Sequence, residues 1–209
     1  ILSLPPAHAI RLDTSTLQLS IQKYWDVDYK RTDNDITTEK AGEKFRELFY
    51  LSVSRRLRSD VPVGSSLSGG IDSSAVVAVI NDLGKINQPV FSAIFPGYEK
   101  DETWYIKELL KKIPAHAHFA SPDATSLLND LGKCFYYQEE PFGSASVLAQ
   151  YEVMNLAKQH HVTVLLDGQG ADEMLAGYHD LYPVFFKELQ QKDKMLYAAE
   201  QAAYKSLFS

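Results

Sequence analysis

Apolar residues recur at two different spacings in the first part of the chain. Between residues 4 and 29, alternate positions tend to be apolar, as at Leu17, Leu19 and Ile21. This alternation predicts two short β-strands, because successive side chains of a strand point to opposite faces. Between residues 39 and 58 the spacing changes to three or four residues, and three arginines stand near its end. That spacing predicts an amphipathic helix with cations at its negative end.

The rest of the chain alternates short apolar runs with longer amphipathic segments. The predicted strands lie at residues 62–67, 89–95, 116–120 and 162–167, and the predicted helices at 72–83, 101–112, 123–137, 144–160 and from 171 onwards. Parallel strands need long crossover connections, which helices of about ten residues or more supply. The pattern therefore predicts an α/β fold, a doubly wound and mainly parallel sheet with helices on both faces. Ligands of such sheets bind at the carboxyl ends of the strands, where the strand order reverses.

A polar stretch at residues 31–38 separates the two predicted strands of the first part from the helix that follows. The stretch has no apolar periodicity, and it ends in Thr37 and Thr38, either of which could cap that helix. We therefore predict a domain boundary near residue 35. A short β segment would occupy residues 1–35, and an α/β domain residues 36–209.

Composition and charge narrow the class of protein. The 209 residues are 45% hydrophobic, which is enough for the core of an ordinary globular domain. A formal charge of −6 argues against a general affinity for nucleic acid or anionic membranes, although a local basic pocket is compatible with it. Since no apolar run approaches the roughly 20 residues of a membrane span, we expect a soluble protein. The single cysteine, Cys134, leaves no cysteine pair for a disulfide or a metal site, which is typical of the reducing cytoplasm.

The residues that follow the first strand of the predicted sheet give the strongest chemical signal. Residues 68–74 read Ser-Gly-Gly-Ile-Asp-Ser-Ser. Two glycines let the backbone turn sharply against a ligand, and the helix that begins next points free N–H groups at an anion. Asp72 would repel a bare phosphate, so its presence favours a phosphate that is bridged by a divalent cation. The alternative is an ordinary corner between strand and helix, with Asp72 as a helix cap.

A second segment of this kind follows the last predicted strand. Residues 167–173 read Asp-Gly-Gln-Gly-Ala-Asp-Glu, and Gly177 and Tyr178 come shortly after. Its glycines bring backbone close to a ligand, and Asp172 adds a second carboxylate at the same edge of the sheet. One or two carboxylates together with phosphate oxygens are the ligands that Mg²⁺ prefers in nucleotide sites. Carboxylates at the start of a helix also have a structural explanation, because they stabilise its N-terminus.

Residues 68–74 resemble the pyrophosphate-binding loop of the ATP pyrophosphatases, which split ATP into AMP and pyrophosphate. They lack the lysine of the P-loop of kinases and GTPases. Together with the second segment and with residues 4–6, 24–26, 56–64 and 140–142, they make residues 4–178 similar to the glutamine-dependent asparagine synthetases. In that family an N-terminal glutaminase domain releases ammonia from glutamine. The synthetase domain activates aspartate as β-aspartyl-AMP, and ammonia then displaces AMP to give asparagine.

The resemblance implies a role for each residue of the two segments. Pyrophosphate and Mg²⁺ would be bound by Ser68, Gly69, Gly70, Asp72, Ser73 and Ser74. Adenosine would be bound chiefly by backbone groups of the protein, those of Leu67, of Ala93 or Ile94, and of Gly168. Asp172 would be the second metal ligand, and the catalytic residues would be Asp72, Gln169 and Asp172. The implied cofactors are ATP and Mg²⁺, the implied substrates are aspartate and ammonia with no nucleic acid, and a homodimer of the full-length protein is left open.

The sequence departs from the pattern of that family in three respects. The N-terminal cysteine nucleophile of the glutaminase domain is missing, and the catalytic lysine of the family would lie beyond Ser209. We therefore expect a fragment that holds the end of a glutaminase domain and the first part of a synthetase domain, with Cys134 as a core residue. Gln169 stands where other members carry Glu, Asp or Tyr, and an amide cannot take up a proton as a carboxylate does. We expect Gln169 to orient substrate or water through hydrogen bonds.

Two other functions stay open at the level of the sequence. An ATP pyrophosphatase with another carboxylate acceptor, such as a peptide or a β-amino acid that cyclises, would carry the same two segments. A non-catalytic nucleotide-binding module could use the same sheet, although the paired carboxylates Asp72 and Asp172 argue against it. The histidines at 116, 118, 160 and 161 have no acidic or cysteine partners at ligand spacing, so we expect surface or core roles for them.

Overall fold

The computed structural model describes residues 2–28 and 35–208. The chain forms two compact units, Ile1–Glu47 and Leu48–Ser209. The first half of the predicted linker at 31–38, residues 31–34, lies outside the described residues. The division into domains 1–35 and 36–209 stays a prediction. Thr37 caps the first helix, as predicted, because its Oγ1 accepts a hydrogen bond from the Lys40 N–H at 3.3 Å.

The first unit contains a two-stranded antiparallel hairpin. β1 (His8–Leu12) pairs with β2 (Leu19–Lys23), which confirms the two predicted strands. Asp13 closes their connection, since its Oδ1 accepts hydrogen bonds from the Ser15 hydroxyl at 2.6 Å and from the Thr16 N–H at 3.0 Å. These hydrogen bonds, chiefly the one from Ser15, lower the pKa of Asp13 to about 2. The assignment of the hairpin to the end of a glutaminase domain stays a prediction.

The second unit is built on a four-stranded parallel sheet with the spatial order β5-β4-β3-β6. Its strands are β3 (Val63–Ser66), β4 (Gln88–Ala93), β5 (Ala115–Ala120) and β6 (Val164–Leu166). Helix α1 (Thr38–Arg56) begins in the first unit and ends in the second. The other helices are α2 (Ile71–Asp82), α3 (Thr103–Leu110), α4 (Ala124–Gln138), α5 (Ser146–Gln159), α6 (Ala171–Leu175), α7 (Tyr182–Lys192) and α8 (Lys194–Phe208), with a 3₁₀ turn at His179–Leu181. The strands of the sheet, and helices α1 to α5, end within two residues of their predicted bounds.

Strand β4, one of the two inner strands of the sheet, separates two layers of hydrophobic core. Val90 belongs to a buried cluster with Val77 of α2 and Ile106 of α3. Phe91 points to the opposite face, as the next residue of a strand must, and belongs to a cluster with Val153 of α5. Helices α2 and α3 therefore cover one face of the sheet and α5 covers the other. This arrangement confirms the predicted doubly wound α/β fold.

Buried polar groups of the sheet are paired across its elements. The Ser65 hydroxyl donates to Gln88 Oε1 at 3.0 Å, and Gln88 Nε2 donates to the carbonyl of Val77 at 3.0 Å. This chain of hydrogen bonds links β3, β4 and α2. Cys134 is buried, which confirms the expected core role, and burial raises the pKa of its thiol. No helix in the described part of the chain is long and apolar enough to cross a membrane.

The rings of His118 and His160 lie beside Phe91 on the α5 face of the sheet, and His118 stacks on Phe91. The ring centroids of His118 and His160 are 3.7 Å apart, and those of His118 and Phe91 are 5.1 Å apart. Burial, with smaller contributions from the charges of His160 and His116, lowers the pKa of His118 from its ordinary value of 6.5. His118 is partly buried and lies against Phe91 of the core layer on this face. Within residues 2–28 and 35–208, no group of three or more His, Cys, Asp or Glu is placed to hold a metal ion.

We expect the free energy of unfolding to fall as the pH is lowered from about 7 to about 5.5. The unfolded chain takes up a proton on His118 near the ordinary pKa of 6.5, whereas the folded chain takes it up only at lower pH. The unfolded state therefore binds more protons in this window and gains stability relative to the folded state. Urea unfolding at several pH values measures how steeply the free energy of unfolding changes with pH, and His118→Phe should make this slope smaller.

His161→Asn is the control. It changes an exposed histidine with φ of +58° and should leave the slope unchanged. An equal slope in wild type and His118→Phe would contradict the assignment.

Candidate functional site

The strand order reverses between β3 and β6, and the two predicted segments follow these two strands. From β3 the chain proceeds to β4 and β5 on one side, and it then returns to β6 on the other side of β3. Since β3 and β6 are parallel neighbours, residues 67–70 and 167–170 leave the same edge of the sheet. The structure thus brings the two segments together at the position where open α/β sheets bind their ligands.

Direct packing joins the second segment to the start of α2. A Cβ on Gly168 would lie 2.7 Å from the backbone N of Ser73 and 2.9 Å from Asp72 Cβ, so only glycine permits this approach. The Gly168 N–H donates to Asp167 Oδ1 at 2.7 Å, which holds the turn after β6. The sequence predicted that Gly168 approaches a ligand. The structure adds that Gly168 packs on the helix that carries Asp72.

Serine hydroxyls hold the first segment in shape. Ser73 Oγ accepts a hydrogen bond from the Ser68 N–H at 3.2 Å, and Ser68 Oγ accepts one from the Gly70 N–H at 3.2 Å. Gly69 has φ of +94°, and a Cβ there would lie 3.0 Å from the carbonyl of Glu102. The segment therefore packs on the start of α3 while it leads into α2. The first N–H groups of α2 have no intrahelical acceptor and face this turn.

Asp72 and Asp172 are partly buried carboxylates at this edge of the sheet. Among the described residues, neither side chain makes a hydrogen bond or an ion pair. Asp72 therefore does not cap α2, and the structural explanation considered for it is not found. Asp172 is held in place by close packing, because a Cβ on Gly177 would collide with its Oδ1.

Glu173, the neighbour of Asp172, has a structural partner. Its Oε1 accepts a hydrogen bond from the Tyr178 hydroxyl at 2.6 Å. This bond lowers the pKa of Glu173 and raises the pKa of Tyr178. The hydrogen bond thereby links α6 to the residues that follow it. Of the adjacent pair, Glu173 bonds Tyr178, and Asp172 makes no hydrogen bond or ion pair within the described residues.

A cleft of about 240 Å³ opens at the carboxyl ends of β3 and β4. Of the predicted adenosine contacts, Leu67 and Ala93 line it, and Ser68 joins it to the first segment. Ile94 instead packs on the core layer that contains Val90. The remaining wall comes from the loop before α3 and from α5, including Tyr98, Lys100, Glu102, Ser146, Ala149 and Gln150. Sequence reasoning missed this wall, because no local motif connects these residues to the two segments.

Asp101 closes the loop that forms one side of the cleft. Its Oδ1 accepts hydrogen bonds from the Thr103 hydroxyl at 2.7 Å and from the Phe95 N–H at 3.1 Å. These bonds, with the one from Thr103 as the larger cause, lower the pKa of Asp101. The loop between β4 and α3 is therefore fastened at both ends beside the cleft.

Gln169 lies between the two glycines of the second segment and is exposed. Its carboxamide makes no hydrogen bond to another residue of the described chain. Gly170, which follows, has φ of +95° and begins α6. Gln169 therefore lies on the short turn between Gly168, which packs on Asp72, and α6, and its donor and acceptor groups have no partner within the described chain.

The chain is similar in sequence to known proteins. Residues 44–208 match the family model of asparagine synthase. A protein of Methanocaldococcus jannaschii, provisionally named asparagine synthetase [glutamine-hydrolyzing] 2, is 40% identical over 162 residues, which cover 74% of this chain and 30% of that protein. Asparagine synthetase [glutamine-hydrolyzing] 1 of Bacillus subtilis is 32% identical over 166 residues, which cover 77% of this chain and 25% of that protein.

A solved structure was also found to be similar at lower identity. NH3-dependent NAD synthetase from Campylobacter jejuni aligns with a TM-score of 0.42 and 17% identity, over 68% of this chain and 61% of that one. The chain spans less than a third of the length of the two curated relatives described above. The family model, in contrast, covers most of this chain. The chain therefore belongs to the asparagine synthase family.

Proposed function

We propose that this chain is the nucleotide-activating part of an ATP-dependent, AMP-forming amide ligase. The observation that carries the proposal is the meeting of the two glycine-containing segments at the reversal of strand order, with Gly168 packed on the backbone of Asp72 and Ser73. The names of the curated relatives support asparagine as the product and the hydrolysis of glutamine as part of the reaction. The sequence resemblance implies aspartate as the substrate. The intact enzyme would convert aspartate, ATP and glutamine-derived ammonia to asparagine, AMP and pyrophosphate.

The first segment has the chemistry to hold the pyrophosphate part of ATP. The N-terminus of α2, with residues 68–74 around it, offers N–H and hydroxyl donors and the positive end of a helix dipole. Binding of the β- and γ-phosphates there leaves the α-phosphorus facing the acceptor. A carboxylate oxygen of aspartate attacks the α-phosphorus, and the bond from that phosphorus to pyrophosphate breaks. Ammonia then attacks the activated carbonyl carbon, and AMP leaves with the electron pair of the C–O bond.

The carboxylates of the site fit a magnesium ion. Asp72 and Asp172 are partly buried and make no hydrogen bond or ion pair within the described residues. One or two carboxylates are the usual protein ligands of a Mg²⁺ ion whose other ligands are phosphates and water. Asp72 and Asp172 would hold the ion. When bound, Mg²⁺ would stabilise the negative charge that develops on departing pyrophosphate. The shape of the serine turn does not depend on the ion, because Ser68 and Ser73 bond each other and the backbone.

Gln169 would orient the reacting groups through its carboxamide. Replacement of Gln169 by Glu would add a negative charge beside pyrophosphate, which weakens nucleotide binding. We therefore expect Gln169→Glu to raise the amide-forming rate of the intact enzyme by less than tenfold, or to lower it. Steady-state rates of asparagine formation measure the effect. A rise of about tenfold or more, equal to about 1.4 kcal/mol of barrier, would show that this position needs a proton acceptor.

Analysis of the nucleotide products tests the proposed function. The intact protein, given ATP, Mg²⁺, aspartate and glutamine, should form asparagine, AMP and pyrophosphate in equal amounts. ADP and phosphate as the products would contradict the proposal. AMP formed with another carboxylate but not with aspartate would instead support the pyrophosphatase with a different acceptor. Nucleotide binding with no turnover on any carboxylate would support the non-catalytic module.

A further inference from the structure

The cleft beside the first segment is suited to a flat apolar group with a polar edge. Its volume of about 240 Å³ is below the roughly 300–1,000 Å³ of sites that enclose a drug-sized ligand, so it suits one part of a nucleotide. Its apolar lining includes Leu67, Ala93, Ala149 and Val153. Ser68, which lines the cleft, belongs to the segment proposed to hold pyrophosphate. A base and its phosphates could therefore occupy adjoining parts of one site.

The residues of α5 that line the cleft all lie on one face of this helix. Ser146, Ala149, Gln150 and Val153 follow the spacing of i, i+3, i+4 and i+7, which places them on the same side of the helix. Val153 is buried against the sheet, and the earlier turns of the helix extend this face over the cleft. Ser146 already has a partner, since its hydroxyl lies 2.8 Å from the Ser144 hydroxyl. Gln150 is the longest polar side chain of the four.

Gln150 is partly buried, and its carboxamide has no hydrogen-bond partner within residues 2–28 and 35–208. A carboxamide presents a donor and an acceptor side by side. The edge of adenine presents the matching pair, because its exocyclic amino group donates and the adjacent ring nitrogen accepts. A partly buried amide without a partner gains most from a ligand that satisfies both of its groups.

We propose that Gln150 is a specificity-determining residue that binds the amino edge of adenine through its side-chain carboxamide. The inference rests on the proposed function, since it requires ATP to bind with its phosphates on residues 68–74. It adds a side-chain contact from α5 to the backbone contacts that the sequence resemblance implied for adenosine.

The test compares ATP with purine riboside 5′-triphosphate, which lacks only the 6-amino group. Calorimetric titration of the intact protein in the presence of Mg²⁺ measures both affinities. We expect the wild type to bind ATP about tenfold more tightly than the analogue, the ratio that corresponds to one net hydrogen bond. Gln150→Met keeps a long, unbranched side chain that suits a helix, and it should bind the two nucleotides with equal affinity.

Gln159→Met is the matched control. It makes the same change at the exposed last residue of α5, away from the cleft, and should keep the preference of the wild type. An unchanged preference for ATP in Gln150→Met would overturn the role of Gln150 and leave the proposed function standing. Failure of the wild type to bind either nucleotide would overturn both proposals. Equal binding of the two nucleotides by the wild type would also overturn the role of Gln150.

Discussion

Gly168→Ala should abolish nucleotide binding by the intact protein and lower its free energy of unfolding by about 1–3 kcal/mol. The added methyl group would lie 2.7 Å from the backbone N of Ser73 and 3.0 Å from the backbone C of Asp72. Backbone atoms cannot rotate away as the end of a side chain can, so the second segment and α2 must move apart. The two halves of the proposed site would then lose their relative position. Urea unfolding and calorimetric titration with Mg-ATP measure the two effects.

Gly132→Ala is the matched control for this substitution. Gly132 lies inside α4, and a Cβ there would meet nothing within 4 Å. Because glycine in a helix interior costs about 0.5–1 kcal/mol relative to alanine, Gly132→Ala should stabilise the protein by a similar amount and leave nucleotide binding unchanged. Wild-type stability and affinity in Gly168→Ala would mean that the contact between the segments does not position the site.

Asp72→Asn should weaken the binding of Mg-ATP by the intact protein about a hundredfold, which is about 2.7 kcal/mol, while leaving the fold intact. Asparagine has nearly the same size but lacks the negative charge that a magnesium ion requires. Asp72 makes no hydrogen bond or ion pair within the described chain, so its replacement removes no such interaction from the fold. Titrations with ATP, with and without Mg²⁺, separate the metal-dependent part of the affinity.

The effect of Mg²⁺ on the ATP affinity of Asp72→Asn shows whether Asp72 is a metal ligand. Without Mg²⁺, Asp72→Asn should bind ATP at least as tightly as the wild type, because the variant removes a charge that repels phosphate. Asp60→Asn, at an exposed position before β3, should behave as the wild type in both titrations. An equal loss of affinity with and without Mg²⁺ would show that Asp72 is not a metal ligand.

The sequence predicts best those helices and strands in which apolar residues recur at the most regular spacing. The spacing of apolar residues before Arg58 and the apolar run after Pro62 give α1 and β3 with errors of two residues or less. The meeting of residues 67–70 with 167–170 also follows from local patterns, since both come after strands of one parallel sheet. Parallel strands end at a common edge of the sheet, so the polar residues that follow each strand lie close together there.

The parts that sequence could not predict depend on packing between distant elements. Strand alternation alone does not say whether Ala93 or Ile94 reaches the cleft, because this requires knowing which face α5 covers. The structure places Ala93 with Phe91 on the α5 face and Ile94 with Val90 on the other. Gln150 was missed for a related reason. A glutamine in an amphipathic helix carries no signal of its own until the helix is docked on the sheet.

Strand β4 is buried on both of its faces, so the two core layers share this one strand. Val90 and Phe91 are both fully buried, and each anchors a different layer. One layer cannot open without exposing the strand that the other layer also needs, so the layers should unfold together. The amide hydrogens of β4 should then exchange with solvent only through global unfolding. Their exchange rates in the presence of Mg-ATP would report the whole stabilisation that the nucleotide confers on the protein, measured at residues that do not touch the phosphates.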